Sequence, residues 1–338
     1  MAQKCVFCGG VPQNKNKEHV IPQWLSKYLD SYKKPCVLTY VTDKQIPYCG
    51  LTFPACEKCN TNDAKLEGEA KKIIEKMMAG TSVTGLEINI LLDWFDKIRT
   101  GLWLGELMLS KSQDDVVPNY YINDRIALKD RMLIIERIDG IGNGLELTGA
   151  NTTVFKYAPC VFQILFNDIV ITSASTSGLV SNKLGFPYIG KTQEANYSQQ
   201  CAELFAGRNK TTHPVVMNID ATNKTIVYQP IFKEIFVPKN HDVPYVHQHS
   251  YDYDAGLGGI FVQRNNNQIR YLDKEDKVNL IPKAQSKDKL NSSKKRVFEL
   301  QNHIVVNMFD AKTLSLEHQR YMNACVRHNK NLIESLTR

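Results

Sequence analysis

Two pairs of cysteines near the start of the chain have the spacing of metal-binding knuckles. Cys5 and Cys8 form one CxxC pair, and Cys56 and Cys59 form the other. Each pair can place two thiolates on one turn, so the two pairs together supply four sulfur ligands for a tetrahedral zinc ion. Such a site has no open coordination position. The spacing therefore predicts one structural zinc ion, which stabilises a module too small to build much of a core.

The segment between the two pairs contains side chains that suit phosphodiester chemistry. It includes the string KEHVIPQWL, in which Glu18 and His19 stand side by side. The ordinary pKa of a histidine is about 6.5, so a neutral imidazole can take a proton from water near pH 7. Asn60 directly follows the second cysteine pair, at the predicted start of a helix that runs to Met78.

These elements and their order resemble the HNH (His-Me finger, ββα-metal) endonuclease family. The family pattern is a CxxC knuckle, an acid–His pair before x-x-Pro, and a second CxxC followed by Asn or His at the start of a helix. Within residues 5–69, this chain has the corresponding residues Cys5 and Cys8, Glu18 and His19 before Pro22, and Cys56 and Cys59 before Asn60. The resemblance implies that His19 is the general base. It also implies that Glu18 and Asn60 hold a catalytic Mg²⁺ or Mn²⁺ ion.

The chain departs from the family pattern at two positions. Glu18 stands where the family usually has Asp, which changes how the carboxylate reaches a metal. Leu51, with Thr52 beside it, stands where the family has the middle Asn that holds the histidine loop in shape. Either another group, such as Thr52 or a backbone carbonyl, orients His19, or the site is impaired.

The role of Asn60 also has an alternative, because Asn is a favoured N-cap residue and needs no metal for that role. Asn62, Asp63 and Glu67 follow it on the predicted helix. These three residues could replace or supplement Asn60 as ligands.

The remaining sequence predicts the elements that surround this module. A helix is expected at about 86–110, and short runs rich in β-branched residues predict strands at 132–136, 161–166, 169–172 and 225–228. Residues 283–296 are expected to form a polar, basic linker before helices at 297–309 and 314–336. The predicted fold class is α+β, with a zinc-stapled ββα module at 1–80, a helical connector at 81–118, a mainly β domain at 119–282 and C-terminal helices in 283–338.

The chain of 338 residues has a net charge of +7, and its basic residues are concentrated at the two ends. Residues 1–80 contain 12 Lys and 8 acidic residues, and residues 281–338 contain 11 Lys plus Arg and 5 acidic residues. Basic ends suit a polyanionic partner, although ordinary surface solubility explains the charge equally well. We expect a metal-dependent DNA endonuclease, with an architecture like that of restriction or phage-defence effectors. The alternatives are a zinc-stabilised protein that binds nucleic acid without cutting it, and a nuclease that acts on RNA.

The sequence predicts a soluble, cytoplasmic protein. The most apolar stretch, 86–109, is interrupted by charged residues, and the first ten residues lack the apolar core of a signal peptide. A homo-oligomer or an activating partner is possible on these data. His247 and His249 alternate as on a strand, but no cysteine or carboxylate of suitable spacing accompanies them, so we do not assign them to a metal site.

Overall fold

The computed structural model describes residues 4–36, 46–109, 117–186, 188–195, 199–205, 216, 218–231, 258–308 and 315–337. Within them the fold is mixed α+β, as the sequence predicts at that level. The helices are α1 Gln23–Tyr28, α2 Glu57–Met78, α3 Gly85–Leu109, α4 Thr153–Tyr157, α5 Ser181–Leu184, α6 Lys289–Met308 and α7 Leu316–Ser335. The strands are β1 Asn16–His19, β2 Pro35–Cys36, β3 Ile46–Pro47, β4 Thr52–Ala55, β5 Val83–Thr84, β6 Asp130–Ile138, β7 Leu145–Thr148, β8 Val161–Phe166, β9 Ile169–Thr176, β10 Tyr188–Ala195, β11 Gln199–Phe205, β12 Thr225–Gln229, β13 Ile260–Arg264, β14 Arg270–Leu272, β15 Lys277–Val278 and β16 Ala284–Gln285.

A two-stranded antiparallel sheet followed by a helix forms the centre of the N-terminal region. Strand β1 pairs with β4 in a register that places His19 opposite Thr52. Helix α2 begins directly after β4, with Cys56 in an extended conformation as its N-cap. The prediction that Asn60 caps this helix is therefore wrong. Asn60 lies inside the first turn, because the chain turns into the helix at the second cysteine pair.

Helix α3 packs against the sheet of β1 and β4, which we call the N-terminal hairpin. The central part of α3 is buried on all sides. Two glycines on its surface allow the close approach. A Cβ atom built on Gly101 would lie 2.9 Å from the Val20 side chain, and one on Gly105 would lie 2.5 Å from the Phe53 ring. Because a real Cβ atom does not tolerate such distances, larger residues at these positions would push the hairpin away from the helix.

The middle of the chain forms a twisted sheet with the strand order β14-β13-β12-β6-β9-β8-β7, and β16 extends it by pairing with β6. All pairs are antiparallel except β6 with β16. The four predicted strands are confirmed as parts of β6, β8, β9 and β12. One apolar cluster joins this sheet to α3 and to the N-terminal hairpin, with Phe95, Phe162 and Val20 among its members.

The C-terminal part differs from the prediction in one respect. Helix α6 begins at Lys289, so the second half of the expected basic linker is helical. Its side chains explain the difference: Ser293 and Arg296 hydrogen-bond to the buried Glu136 of the sheet. Helix α7 is confirmed. Over the described part of the chain, each helix is too short or too polar to cross a bilayer.

Candidate active site and metal centre

The four predicted zinc ligands come together in space. Cys5 and Cys8 lie on the turn before β1, and Cys56 and Cys59 lie on the first turn of α2. The Sγ atoms of Cys8 and Cys56 are 3.9 Å apart, and the sulfurs of all four residues lie within 4.8 Å of one another. Zinc with four sulfur ligands at about 2.3 Å places those sulfurs about 3.8 Å apart. The four cysteines therefore have the arrangement to hold a metal such as zinc.

Backbone N–H groups aim at the same sulfurs, as is needed to stabilise thiolates. The N–H of Cys56 donates to Cys5 Sγ at 3.3 Å, and the N–H of Gln13 donates to Cys56 Sγ at 3.4 Å. Burial acts to raise the pKa of Cys5, but its backbone hydrogen bonds outweigh burial and lower that pKa. Gly9 completes the knuckle with a φ of 69°, and any side chain there would collide with the ring of Tyr121.

His19 lies at the end of β1, and its imidazole is held by Gln23 on the first turn of α1. The side-chain amide nitrogen of Gln23 is 2.6 Å from His19 Nε2. The amide oxygen of Gln23 accepts from Lys27 Nζ at 3.1 Å, which fixes the amide with its N–H groups towards the ring. Nε2 is then the unprotonated nitrogen of a neutral imidazole. Within the described residues, the buried Nδ1 has no hydrogen-bond partner.

The surroundings of His19 favour its neutral form and are basic. Burial lowers the pKa of His19, and the positive charges of Lys27 and Lys17 lower it further. Lys27 also lines a shallow depression of about 510 Å³ with Asp30, Tyr32, Lys33 and Lys34. The half-buried imidazole therefore stands beside a surface that attracts anions.

Asn60 lies beside the same strand. Its side-chain amide donates to the backbone carbonyl of Lys17 at 3.2 Å, which ties the start of α2 to β1. The structure thus brings Asn60 close to the Glu18–His19 pair, as the sequence analysis expects. Its role as a metal ligand stays a prediction.

Glu18 points into the protein, to a cluster that also contains Asp63, Glu67 and Lys97. We call these four residues the carboxylate cluster. Lys97 Nζ lies 2.7 Å from a Glu18 oxygen and 2.5 Å from an Asp63 oxygen, and it also pairs with Glu67. The three carboxylates lie within 4.8 Å of one another, so as ligand types they suit a divalent cation. However, an ammonium group already lies among all three, and with Lys97 in place they do not fit such an ion.

The charges within the carboxylate cluster are unbalanced. Burial raises the pKa of Glu18 to about 7, although Lys97 opposes this effect. Burial likewise raises the pKa values of Asp63 and Glu67, again against the influence of Lys97. One ammonium therefore compensates the three carboxylates only in part.

The sequence analysis misses two residues of this region. Gln23 stands four residues after His19, but His19 ends β1 and Gln23 begins α1, so no helical or strand periodicity in the sequence marks the two as partners. Lys97 is one of the charges that interrupt the apolar stretch 86–109. Those charges serve above only to argue against a membrane span, whereas a buried lysine always needs a partner.

Asn62 and the pair His247 and His249 are the remaining residues that the sequence singles out. Asn62 is exposed on α2. His247 and His249 lie outside the described residues.

Comparisons of the chain with family models, with curated proteins and with solved structures find no match. The HNH resemblance therefore rests on the motif residues and on the strand–strand–helix arrangement described above.

Proposed function

We propose that this protein hydrolyses phosphodiester bonds in nucleic acid, most readily DNA, with His19 as the general base. The observation that carries the proposal is the setting of His19. It is a half-buried, neutral imidazole at the end of β1, flanked by Lys17 and Lys27 and held over a cysteine-stapled strand–strand–helix unit. A histidine that serves only in packing needs no such basic surroundings.

In this reaction, a water molecule takes the place of the Gln23 amide at His19 Nε2. Nε2 accepts a proton from the water as its oxygen forms a bond to phosphorus. The P–O3′ bond breaks, and the departing oxygen is protonated by solvent. Lys17 and Lys27 offset the negative charge that develops on the phosphate. The depression beside Lys27 supplies further positive charge for neighbouring phosphates of the strand.

Cleavage of supercoiled plasmid tests the proposal. We expect wild-type protein to nick the plasmid, and His19→Ala to lose about 10²-fold or more of that rate. His318→Ala is the matched control, since His318 lies on α7 and hydrogen-bonds to Ser315, outside the site. Each protein is assayed with Mg²⁺, with Mn²⁺ and with EDTA. Because EDTA also removes the predicted structural zinc, dependence on a catalytic divalent ion is judged from zinc-loaded protein assayed without added Mg²⁺ or Mn²⁺.

Two results would contradict the nuclease proposal. One is no cleavage by wild-type protein under any of these conditions, and the other is equal cleavage by wild type and His19→Ala. A labelled single-stranded RNA in parallel tests the RNA alternative. Circular dichroism of each variant separates loss of the base from loss of the fold.

The second candidate is a module that binds nucleic acid without cutting it. The observation that favours it is the pairing of Glu18 with Lys97, which occupies the carboxylate that the family resemblance assigns to a metal. Binding of a labelled duplex that is equal for wild type and His19→Ala, without cleavage by either, would support this candidate.

A further inference from the structure

The ammonium group of Lys97 lies within ion-pair distance of three carboxylates. Its contact with Glu67 has the geometry of a hydrogen bond, whereas Glu18 Oε1, although 2.7 Å away, has no hydrogen-bond partner among the described residues. A lysine ammonium has three N–H donors and no acceptor. In the carboxylate cluster it meets one oxygen each from Glu18, Asp63 and Glu67. These acceptors come from β1 and α2, whereas the lysine comes from α3, so three separate elements converge on one cation.

Lys97 cannot be a surface side chain that has folded inwards. Only 1% of the residue is exposed, and its backbone lies in the part of α3 that is buried on all sides. The ring of Phe7 lies 6.0 Å from the ammonium nitrogen. The fold therefore carries this positive charge into the interior, where the loss of hydration is unfavourable unless partners compensate it.

The partners are the set of ligands that a divalent cation prefers. Three carboxylates within reach of one point suit Mg²⁺ or Mn²⁺, and the family resemblance assigns Glu18 to such an ion. The structure places an ammonium there instead. Since three carboxylates exceed one ammonium by two negative charges, the cluster would attract a divalent ion strongly if the ammonium were removed.

We propose that Lys97 is the resident cation of the carboxylate cluster, so that the wild-type chain does not bind a divalent ion through Glu18, Asp63 and Glu67, and loss of the ammonium turns the cluster into a divalent-cation site. This inference does not rest on nucleic-acid cleavage. The ammonium also ties β1, which carries His19, to α2 and α3.

Titration of the full chain with Mn²⁺ tests this proposal, after zinc has been supplied and free zinc removed. The electron paramagnetic resonance signal of free Mn²⁺ reports binding. Up to about 1 mM Mn²⁺, we expect wild-type protein to bind no Mn²⁺ through the carboxylate cluster. Lys97→Met should bind Mn²⁺ with an affinity about tenfold or more above that of wild type. Mn²⁺ should also raise the melting temperature of Lys97→Met but not that of wild type.

Two further variants assign the gained site. Lys97→Met combined with Glu67→Gln should lose the added Mn²⁺ binding. Lys156→Met is the matched control, because Lys156 is also a buried lysine, close to the single carboxylate of Glu106. It should gain no Mn²⁺ binding.

The proposal is overturned if wild-type protein binds Mn²⁺ in a way that Glu67→Gln abolishes. It is also overturned if Lys97→Met folds and binds Mn²⁺ no more tightly than wild type. If Lys97→Met fails to fold even with Mn²⁺ present, the comparison of wild type with Glu67→Gln decides: cluster-dependent binding refutes the proposal, and equal absence of binding supports it. Each test measures Mn²⁺ binding or melting temperature. The results therefore decide this proposal whether or not the protein cleaves nucleic acid.

Discussion

Two clusters of ligand-type side chains lie in the first hundred residues, and they obtain positive charge in different ways. The sulfurs of the cysteine cluster contact one another and the backbone N–H groups of Cys56 and Gln13. The carboxylate cluster instead contains a lysine from another element. The comparison shows that two clusters of ligand-type side chains can be equally compact and still differ in the charge that neighbouring elements contribute to them.

Replacing one cysteine should have the largest effect, because we expect the cysteine cluster to be held together by a bound zinc ion. We expect about one zinc ion per wild-type chain and loss of that zinc in Cys56→Ser. Structural zinc is worth on the order of 10 kcal/mol in small modules, so the N-terminal region should also lose its cooperative unfolding. Metal analysis and thermal unfolding measure the two effects.

Cys325→Ser is the control for this change, since Cys325 is a buried thiol on α7. It should keep its zinc. Wild-type protein without zinc, or Cys56→Ser with its full complement, would contradict the assignment and remove the contrast between the two clusters.

The carboxylate cluster should make stability depend on pH. The pKa of Glu18 is about 7 in the folded protein, against an ordinary value of 4.5. A pKa raised by folding means that this group stabilises the protein fully below about pH 4.5, and that the contribution is lost as the pH rises through about 7. We expect Glu18 to lower the free energy of unfolding by about 2 to 3 kcal/mol between these limits.

Urea unfolding at a series of pH values gives the free energy of unfolding of wild type and of Glu18→Gln as a function of pH. The difference between the two slopes of that free energy against pH measures the contribution of Glu18. Glu69→Gln, which removes an exposed acid on α2 outside the carboxylate cluster, should keep the wild-type dependence of the free energy of unfolding on pH. Equal slopes for wild type and Glu18→Gln would show that the three carboxylates are fully compensated after all.

The smallest effect is expected for Glu67→Gln. Removing one partner of a buried ion pair usually costs about 3 to 5 kcal/mol. In Glu67→Gln the ammonium of Lys97 still pairs with Glu18 and Asp63, and the substitution removes one of the excess negative charges of the cluster. The free energy of unfolding should therefore change by less than about 1 kcal/mol. Denaturant unfolding at pH 7 measures it.

Glu136→Gln is the matched comparison, because the buried Glu136 pairs with Arg296 and belongs to no group of carboxylates that shares one cation. Its loss should cost clearly more than that of Glu67. A large cost for Glu67→Gln would mean that all three carboxylates are needed to hold Lys97.

Local patterns predict much of this molecule. The CxxC spacing predicts that the four cysteines meet, because each pair needs only one turn to present two sulfurs. The β-branched runs predict β6, β8, β9 and β12, since those strands are buried on the sheet and carry a strong local signal. The family resemblance carried by Glu18, His19 and the second cysteine pair implies a strand beside the start of a helix.

The features that the sequence does not predict depend on contacts between distant residues. Lys97 meets Glu18 across 79 positions of the chain, and no local pattern specifies that distance. Helix α6 begins early because Ser293 and Arg296 reach a carboxylate in the sheet. The predicted N-cap of α2, Asn60, differs from the observed one, Cys56, for another reason. Cys56 already has the extended backbone that an N-cap position requires.

The glycines of α3 bear on how this unit could be transplanted into another protein. The hairpin rests on Gly101 and Gly105, and the ammonium under Glu18 comes from the same helix. A fragment that stopped at residue 80 would keep every residue of the family motif and yet lose both its supporting surface and its internal cation. The portable unit is therefore longer than the motif, and a graft has to extend to the end of α3 at Leu109.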